Sequence, residues 1–124
     1  MNAVLIESTK FSPEILFDKN KGVINFTGKL YPANATEFFN PVHEMIIDYI
    51  KNNPEITLNF MLTYINSSAT KLVIRLFEEL DTYYENGKKI CVNWYHDELD
   101  DDMIEVGEDI SELVNIPIKV SSKS

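Results

Sequence analysis

Apolar and polar positions along the chain follow two rhythms. Ile56, Leu58, Phe60, Leu62 and Tyr64 alternate strictly with Thr57, Asn59, Met61 and Thr63. Such alternation predicts a central strand whose large side chains share one face. Ile15-Leu16-Phe17 and Val23-Ile24-Phe26 flank the polar stretch Asp18-Lys19-Asn20-Lys21-Gly22, the pattern of a β-hairpin. The second hairpin strand continues through Thr27-Gly28-Lys29-Leu30-Tyr31 and stops at Pro32, which has no N–H for a ladder. Ile90, Val92 and Trp94 predict another strand, and Ile116 to Val120 a last one before a polar tail from Ser121 to Ser124. Ala3 to Ile6 forms either an edge strand or a tail that docks late.

The second rhythm has helical spacing. Phe38, Val42, Met45 and Tyr49, with Phe39, Ile46 and Ile50, recur at intervals of three and four. Asn34 stands three residues before Glu37, the spacing of a capping box with Asn in place of Ser or Thr. Pro41 predicts either a regular helix that begins at Asn40, with proline at its first position, or a short first turn that kinks there. Asn52-Asn53-Pro54 ends the element. Asn66-Ser67-Ser68-Ala69-Thr70 opens a second helix, buried along Leu72, Val73, Leu76, Phe77, Leu80 and Tyr84 and capped by Gly87. A third, acidic and amphipathic, spans about Asp100 to Val114. The order β-β-α-β-α-β-α-β places the chain in the α/β class: a mixed sheet with a parallel portion and helices as crossovers. With no internal repeat and no linker, residues 1–124 form a single domain with its core at about 11–120.

Composition narrows the function. The chain has 20 acidic against 11 basic residues, a net charge of −9, and Arg75 is its one arginine. No basic stripe exists to displace counterions from nucleic-acid phosphates or to hold an anionic membrane surface. The longest wholly apolar run, Ala3 to Ile6, is four residues, too short to insert in a bilayer. No secretory leader is visible, so the expected location is cytoplasmic. The single cysteine, Cys91, lies between Ile90 and Val92 and is expected to be an inert buried thiol.

Catalytic signals are sparse. There is no glycine-rich phosphate loop and no metalloprotease helix motif, and no cofactor is implied. Asp100-Asp101-Asp102 lacks the ligand offsets and turn glycine of a calcium loop. His43 fits a helix face or core. His96 beside Asp97 has the composition of a base and its carboxylate, but neighbouring strand residues point to opposite faces.

Two segments carry more. Between Asp97 and Glu112 there are nine acidic residues and no basic one. They form either a solvated helix face or a surface that steers a basic partner. Asn66-Ser67-Ser68-Ala69-Thr70-Lys71 places three hydroxyls where a strand ends and a helix begins. The plain reading is a well-capped helix. The other is a phosphorylation site, since a phosphate there meets free N–H groups and adds roughly −1.5 to −2 charge.

Three stretches in order resemble the SiaC family of bacterial regulatory phosphoproteins. Tyr31-Pro32-Ala33-Asn34-Ala35 with Phe38-Phe39-Asn40-Pro41-Val42 is similar to that family's first-helix signature. Tyr64-Ile65-Asn66-Ser67-Ser68-Ala69-Thr70-Lys71 is similar to its Tyr-Phe-Asn-Thr-Ser-Ser-Ser-Lys element. Trp94-Tyr95-His96-Asp97, the acid run, Met103, Glu105 and Gly107-Glu108-Asp109 match its C-terminal pattern. The resemblance covers Phe11 to Val120.

It implies a fold akin to the STAS domain of anti-sigma-factor antagonists and a non-enzymatic switch. A cognate Ser/Thr protein kinase would phosphorylate it, a PP2C-type phosphatase would reverse this, and in some members the unphosphorylated form activates a diguanylate cyclase. The family's acceptor threonine corresponds to Ser67, with Ser68 and then Thr70 as alternatives, and Ala69 replaces a family serine. The implied partner surface comprises Tyr31, Tyr64, Asn66, Ser67, Ser68, Asp100, Asp101 and Asp102. Two rival readings remain: a small enzyme or ligand-binding domain built on His96 and nearby carboxylates, and a constitutive, unmodified interaction domain.

Overall fold

The computed structural model describes residues 3–123. Its elements are β1 (Ala3–Ile6), β2 (Glu14–Asp18), β3 (Val23–Leu30), α1 (Ala35–Asn52), β4 (Glu55–Ile65), α2 (Ser67–Glu85), β5 (Lys89–His96), α3 (Asp101–Leu113) and β6 (Ile118–Ser122). The mixed α/β order read from the sequence holds, with Ala3–Ile6 as an edge strand. All six strands join one sheet in chain order, antiparallel from β1 to β3 and parallel from β3 to β6.

Because each parallel strand lies beside its predecessor, the right-handed crossover rule puts all three helices on one face. Burial agrees. Cross-strand rows such as Ile15, Phe26, Phe60 and Trp94 face the helices and are fully buried. Between them, an outward row carries Leu16, Asn25, Asn59 and Asn93 in register. Asn59 donates from Nδ2 to Asn25 Oδ1 at 2.9 Å, and Asn93 from Nδ2 to Asn59 Oδ1 at 2.8 Å. The amides thus satisfy one another on a face that no helix covers.

Phe60 is the centre of the core. Its ring stacks on Phe26 at 4.3 Å between centroids and on Trp94 at 5.3 Å, and meets Phe77 of α2 edge-on at 5.6 Å. Three strands and a helix therefore share one side chain.

Several expectations need correction. Helix α1 starts at Ala35 rather than Asn40 and carries Pro41 inside it, the arrangement in which a first turn precedes the proline. Asn34 secures the first turn at its far end, accepting from Glu37 N–H at 3.0 Å and donating to the Glu37 carboxylate at 3.2 Å. Pro41 is exposed, so the Glu37 carbonyl left without an N–H partner lies on the solvent side. Cys91 is exposed, not buried, because alternation turns it to the uncovered face, near Thr57 Oγ1 at 3.4 Å.

The last strand starts two residues late. Pro117 cannot donate to a ladder, and its carbonyl accepts from Val92 N–H at 2.9 Å. Before it, the Asp81 carboxylate accepts from the N–H groups of Asn115 and Ile116 at 3.0 and 2.9 Å. Ser121 and Ser122, expected in a polar tail, belong to β6; Ser124 lies outside the described residues. The Gly87 cap forms as expected, with Gly87 and Lys88 N–H groups bonding to the Tyr84 and Tyr83 carbonyls. Among the described residues no helix is long and apolar enough to cross a membrane.

Phe60→Ala removes the ring that four elements share. The expected loss is about 3–5 kcal/mol of unfolding free energy by urea titration, at the level of the largest core truncations.

Candidate functional site

Parallel strands joined by crossovers bring the C-terminal ends of β3, β4 and β5 to one edge, together with the N-termini of all three helices. In open α/β sheets this is where sites are built. Each helix is capped there by its own side chain. Asn34 accepts from Glu37 N–H, Asn66 from Ala69 N–H at 2.9 Å, and Asp100 from Met103 N–H at 3.2 Å.

The three candidate hydroxyls at α2 are not equivalent. Thr70 is half-buried and its hydroxyl donates to the Asn66 carbonyl at 2.9 Å. Ser67 and Ser68 are exposed, and among the described residues neither hydroxyl is engaged. Ser67 occupies the first helical position, beside first-turn N–H groups that have no intrahelical acceptor. Lys71 follows one turn later, exposed and on the same helix face.

Strict alternation would point Tyr64 into the core, yet the residue is 48% exposed. The cause is a register shift between Gly28 and Lys29 of β3: Gly28 pairs with Leu62 and Lys29 with Tyr64, which leaves Thr63 as an extra residue on β4. Gly28 has φ +126, a backbone conformation that glycine alone adopts without strain. Beyond the bulge the phase is reversed, so that Tyr64 turns outward and Ile65 goes in. Tyr64 then meets Tyr31 edge-on at 5.3 Å, and Tyr31 meets Phe11 edge-on at 5.3 Å. The Tyr31 N–H donates to the Phe11 carbonyl at 2.8 Å, fastening the segment before β2 to this edge. Phe11, half exposed, was not singled out in the sequence, where it stands in a weakly patterned stretch.

On the other side of Tyr64 lies a groove of about 340 Å³ between the end of β4 and α3. Tyr64, Ile65, Met103 and Val106 form its apolar surface, and Asp100, Asp102, Glu105 and Asp109 line it. Asp101 is exposed but does not line it, whereas Glu105 and Asp109, which the family pattern includes but the expected partner surface does not, do line it. Helix α3 is seated by Trp94, whose indole N–H donates to the Met103 carbonyl at 3.0 Å. Gly107 permits this contact: a Cβ there would lie 2.5 Å from Trp94 Cδ1.

The histidines are placed otherwise. His96 is buried, and its Nδ1 lies 2.9 Å from the backbone carbonyl of Asp97, not the carboxylate. That carboxylate faces Lys123 at 3.7 Å. His43 bridges α1 to α2 through Glu79, Nε2 to Oε1 at 2.8 Å. It also lines a broader groove of about 830 Å³ on the helical layer that contains none of the predicted partner-surface residues. No group of three or more His, Cys, Asp or Glu among the described residues is arranged to hold a metal ion.

Gly107→Ala forces the new methyl into the indole of Trp94. The expected cost is about 1–3 kcal/mol in chemical denaturation, with a changed near-UV Trp signal as α3 lifts. Asn66→Ala removes one cap bond and should cost about 1 kcal/mol by the same measurement.

Comparison with known proteins agrees with this fold. A chain of the crystal structure of the diguanylate cyclase SiaD in complex with its activator SiaC, from Pseudomonas aeruginosa, superposes with TM-score 0.90 at 22% identity, covering 96% of this chain and 98% of that one. The crystal structure of apo-SiaC from the same organism gives 0.89 at 23% identity, covering 98% and 99%. An uncharacterized protein of Pseudomonas aeruginosa (strain UCBPP-PA14) is 23% identical over 123 residues, 98% of each chain. The family model described as SiaC family regulatory phosphoprotein matches residues 6–123, and the chain belongs to that family.

Proposed function

We propose that the protein is a non-enzymatic, cytoplasmic signalling switch in which phosphorylation of Ser67 controls docking of a partner protein. The observation that carries this reading is the exposed, unengaged Ser67 hydroxyl at the first position of α2, beside the outward-turned Tyr64. A cognate Ser/Thr protein kinase transfers the γ-phosphoryl group of ATP to Ser67 Oγ, and a PP2C-type phosphatase passes it on to water. Ser68, equally exposed, is the second choice. Thr70 is third, because its hydroxyl is committed to the helix cap.

The unphosphorylated form docks. Its contact surface comprises Tyr31, Tyr64, Asn66, Ser67, Ser68 and the acidic start of α3 at Asp100, Asp101 and Asp102. Exposed tyrosines suit such a role because they bury large area at low entropic cost. A phosphate on Ser67 would be held by the first-turn amides of α2 and by Lys71, anion before cation at a spacing of four. It brings roughly −1.5 to −2 charge and its hydration shell to the edge of the aromatic contact, which then cannot be desolvated cheaply. The SiaC of Pseudomonas aeruginosa is an activator of the diguanylate cyclase SiaD, and a diguanylate cyclase is accordingly the class of partner proposed. The enzyme reading has less support, since His96 and the Asp97 carboxylate do not pair.

Phosphopeptide mass spectrometry of the protein from its own cells, on the tryptic peptide Asn52 to Lys71, should find phosphate on Ser67 and lose it in Ser67→Ala. A peptide that stays unmodified across growth conditions with phosphatases inhibited would leave a constitutive docking domain. In pull-downs with the cognate cyclase, Ser67→Asp should weaken capture by roughly tenfold or more and Ser67→Ala should retain it.

A further inference from the structure

The groove beside Tyr64 carries charge that the fold leaves unanswered. Met103 and Val106 supply its floor, the Tyr64 ring one wall, and Asp102, Glu105 and Asp109 its rim. Those three carboxylates stand at intervals of three and four on α3, so they share a helix face and repel one another. Among the described residues none of them has an ion-pair partner; Lys123 neutralises only Asp97, outside the groove. A stripe of mutually repelling carboxylates over an apolar floor is complementary to one kind of side chain. A long aliphatic stem with a cationic head covers the floor with its methylenes and places its charge between the carboxylates and the face of Tyr64.

We infer that this groove seats an arginine or lysine side chain from a cationic segment of a protein partner. The inference rests on the docking reading above and adds the partner's chemistry to it. A second copy of this chain is a poor occupant, since each copy carries a net charge of −9 and a single arginine. A metal ion is a poor one too, because the rim carboxylates do not converge on a common point.

The test is fluorescence anisotropy of a labelled amphipathic peptide bearing arginines on one face, titrated with the full chain. Glu105→Gln combined with Asp109→Asn should weaken binding roughly tenfold or more. Glu44→Gln with Asp48→Asn, which removes the same charge from α1, should change it by no more than about twofold. Val106→Lys places a cation in the groove from within the chain and should block the peptide. Circular dichroism verifies that each variant is folded.

Equal losses from the two neutralising pairs would reduce the effect to net charge and overturn the inference. So would peptide binding that survives the groove pair and Val106→Lys, or displacement of the peptide by stoichiometric calcium or magnesium. The switch is read separately. If Ser67→Asp leaves peptide binding unchanged while the groove pair abolishes it, the groove stands and the phosphorylation control falls. The reverse pattern overturns the groove and keeps the switch.

Discussion

The stack of Phe26, Phe60 and Trp94 across three parallel strands is the contact on which the remaining architecture depends. Parallel strands pair with slanted bonds and have no hairpin to set their register. Here the register is set by ring against ring, with Phe77 wedging α2 against the middle member. Each aromatic pair adds about 0.5–1.5 kcal/mol beyond its burial, and a slip of one residue in any of the three strands would turn that strand's ring to the uncovered face. Trp94 carries the arrangement outward by holding the Met103 carbonyl, so the position of α3, and of its carboxylates, descends from the same stack.

The edge that carries the candidate site is built on departures from the regularity that the core enforces. At the start of α3, Asp101 and Asp102 sit at the positive end of the helix dipole, where anions are favoured. Farther along, Glu105, Glu108, Asp109 and Glu112 lose that benefit and have no basic residue in the last turn to offset them. Tyr64 is likewise turned from a position where alternation would bury it. An outward aromatic and an uncompensated acidic face are both costs to the isolated chain, and both fall at one edge of one sheet.

How much of this could be read from sequence depended on whether the signal was periodic. The alternation from Ile56 to Leu62 and the helical spacing in α1 and α2 translated directly into buried faces, and the Asn34 and Asn66 caps were legible because a cap is a local bond. Period two gives a face but carries no mark of where its phase slips. The bulge at Thr63 was therefore hidden, although Gly28 opposite it was the one trace left in the chain. Cys91 was misjudged because its neighbours are apolar; in a one-sided sheet the neighbours of an outward residue face the other way. Pro41 left the start of α1 open between Asn40 and an earlier first turn, because the carbonyl a proline leaves unbonded is costly only when buried, and the sequence does not show that it is exposed. Phe11 reaches the site through a backbone bond to Tyr31 that no local pattern announces. The charge of α3 was plain, but its division between Asp102 on the groove and Asp101 off it came only with the helix's rotation over Trp94. The family likeness was legible through motifs, not periodicity.

The identity of spatial and chain order in the sheet bears on how the molecule is made. Every strand's partner is the strand synthesised just before it, so a chain emerging from the ribosome can add one βα unit at a time to a growing edge. No strand waits for a distant segment to be inserted between strands already paired, which keeps loop-closure costs low for a parallel sheet. Throughout synthesis the newest strand exposes an unpaired margin, and the last such margin is β5, with Val92 and Trp94, until Ile118 to Ser122 arrives. Strand β6 is thus the latch on the edge of β5, and a nascent chain that lacked it would be a sticky intermediate rather than a shorter version of the native protein.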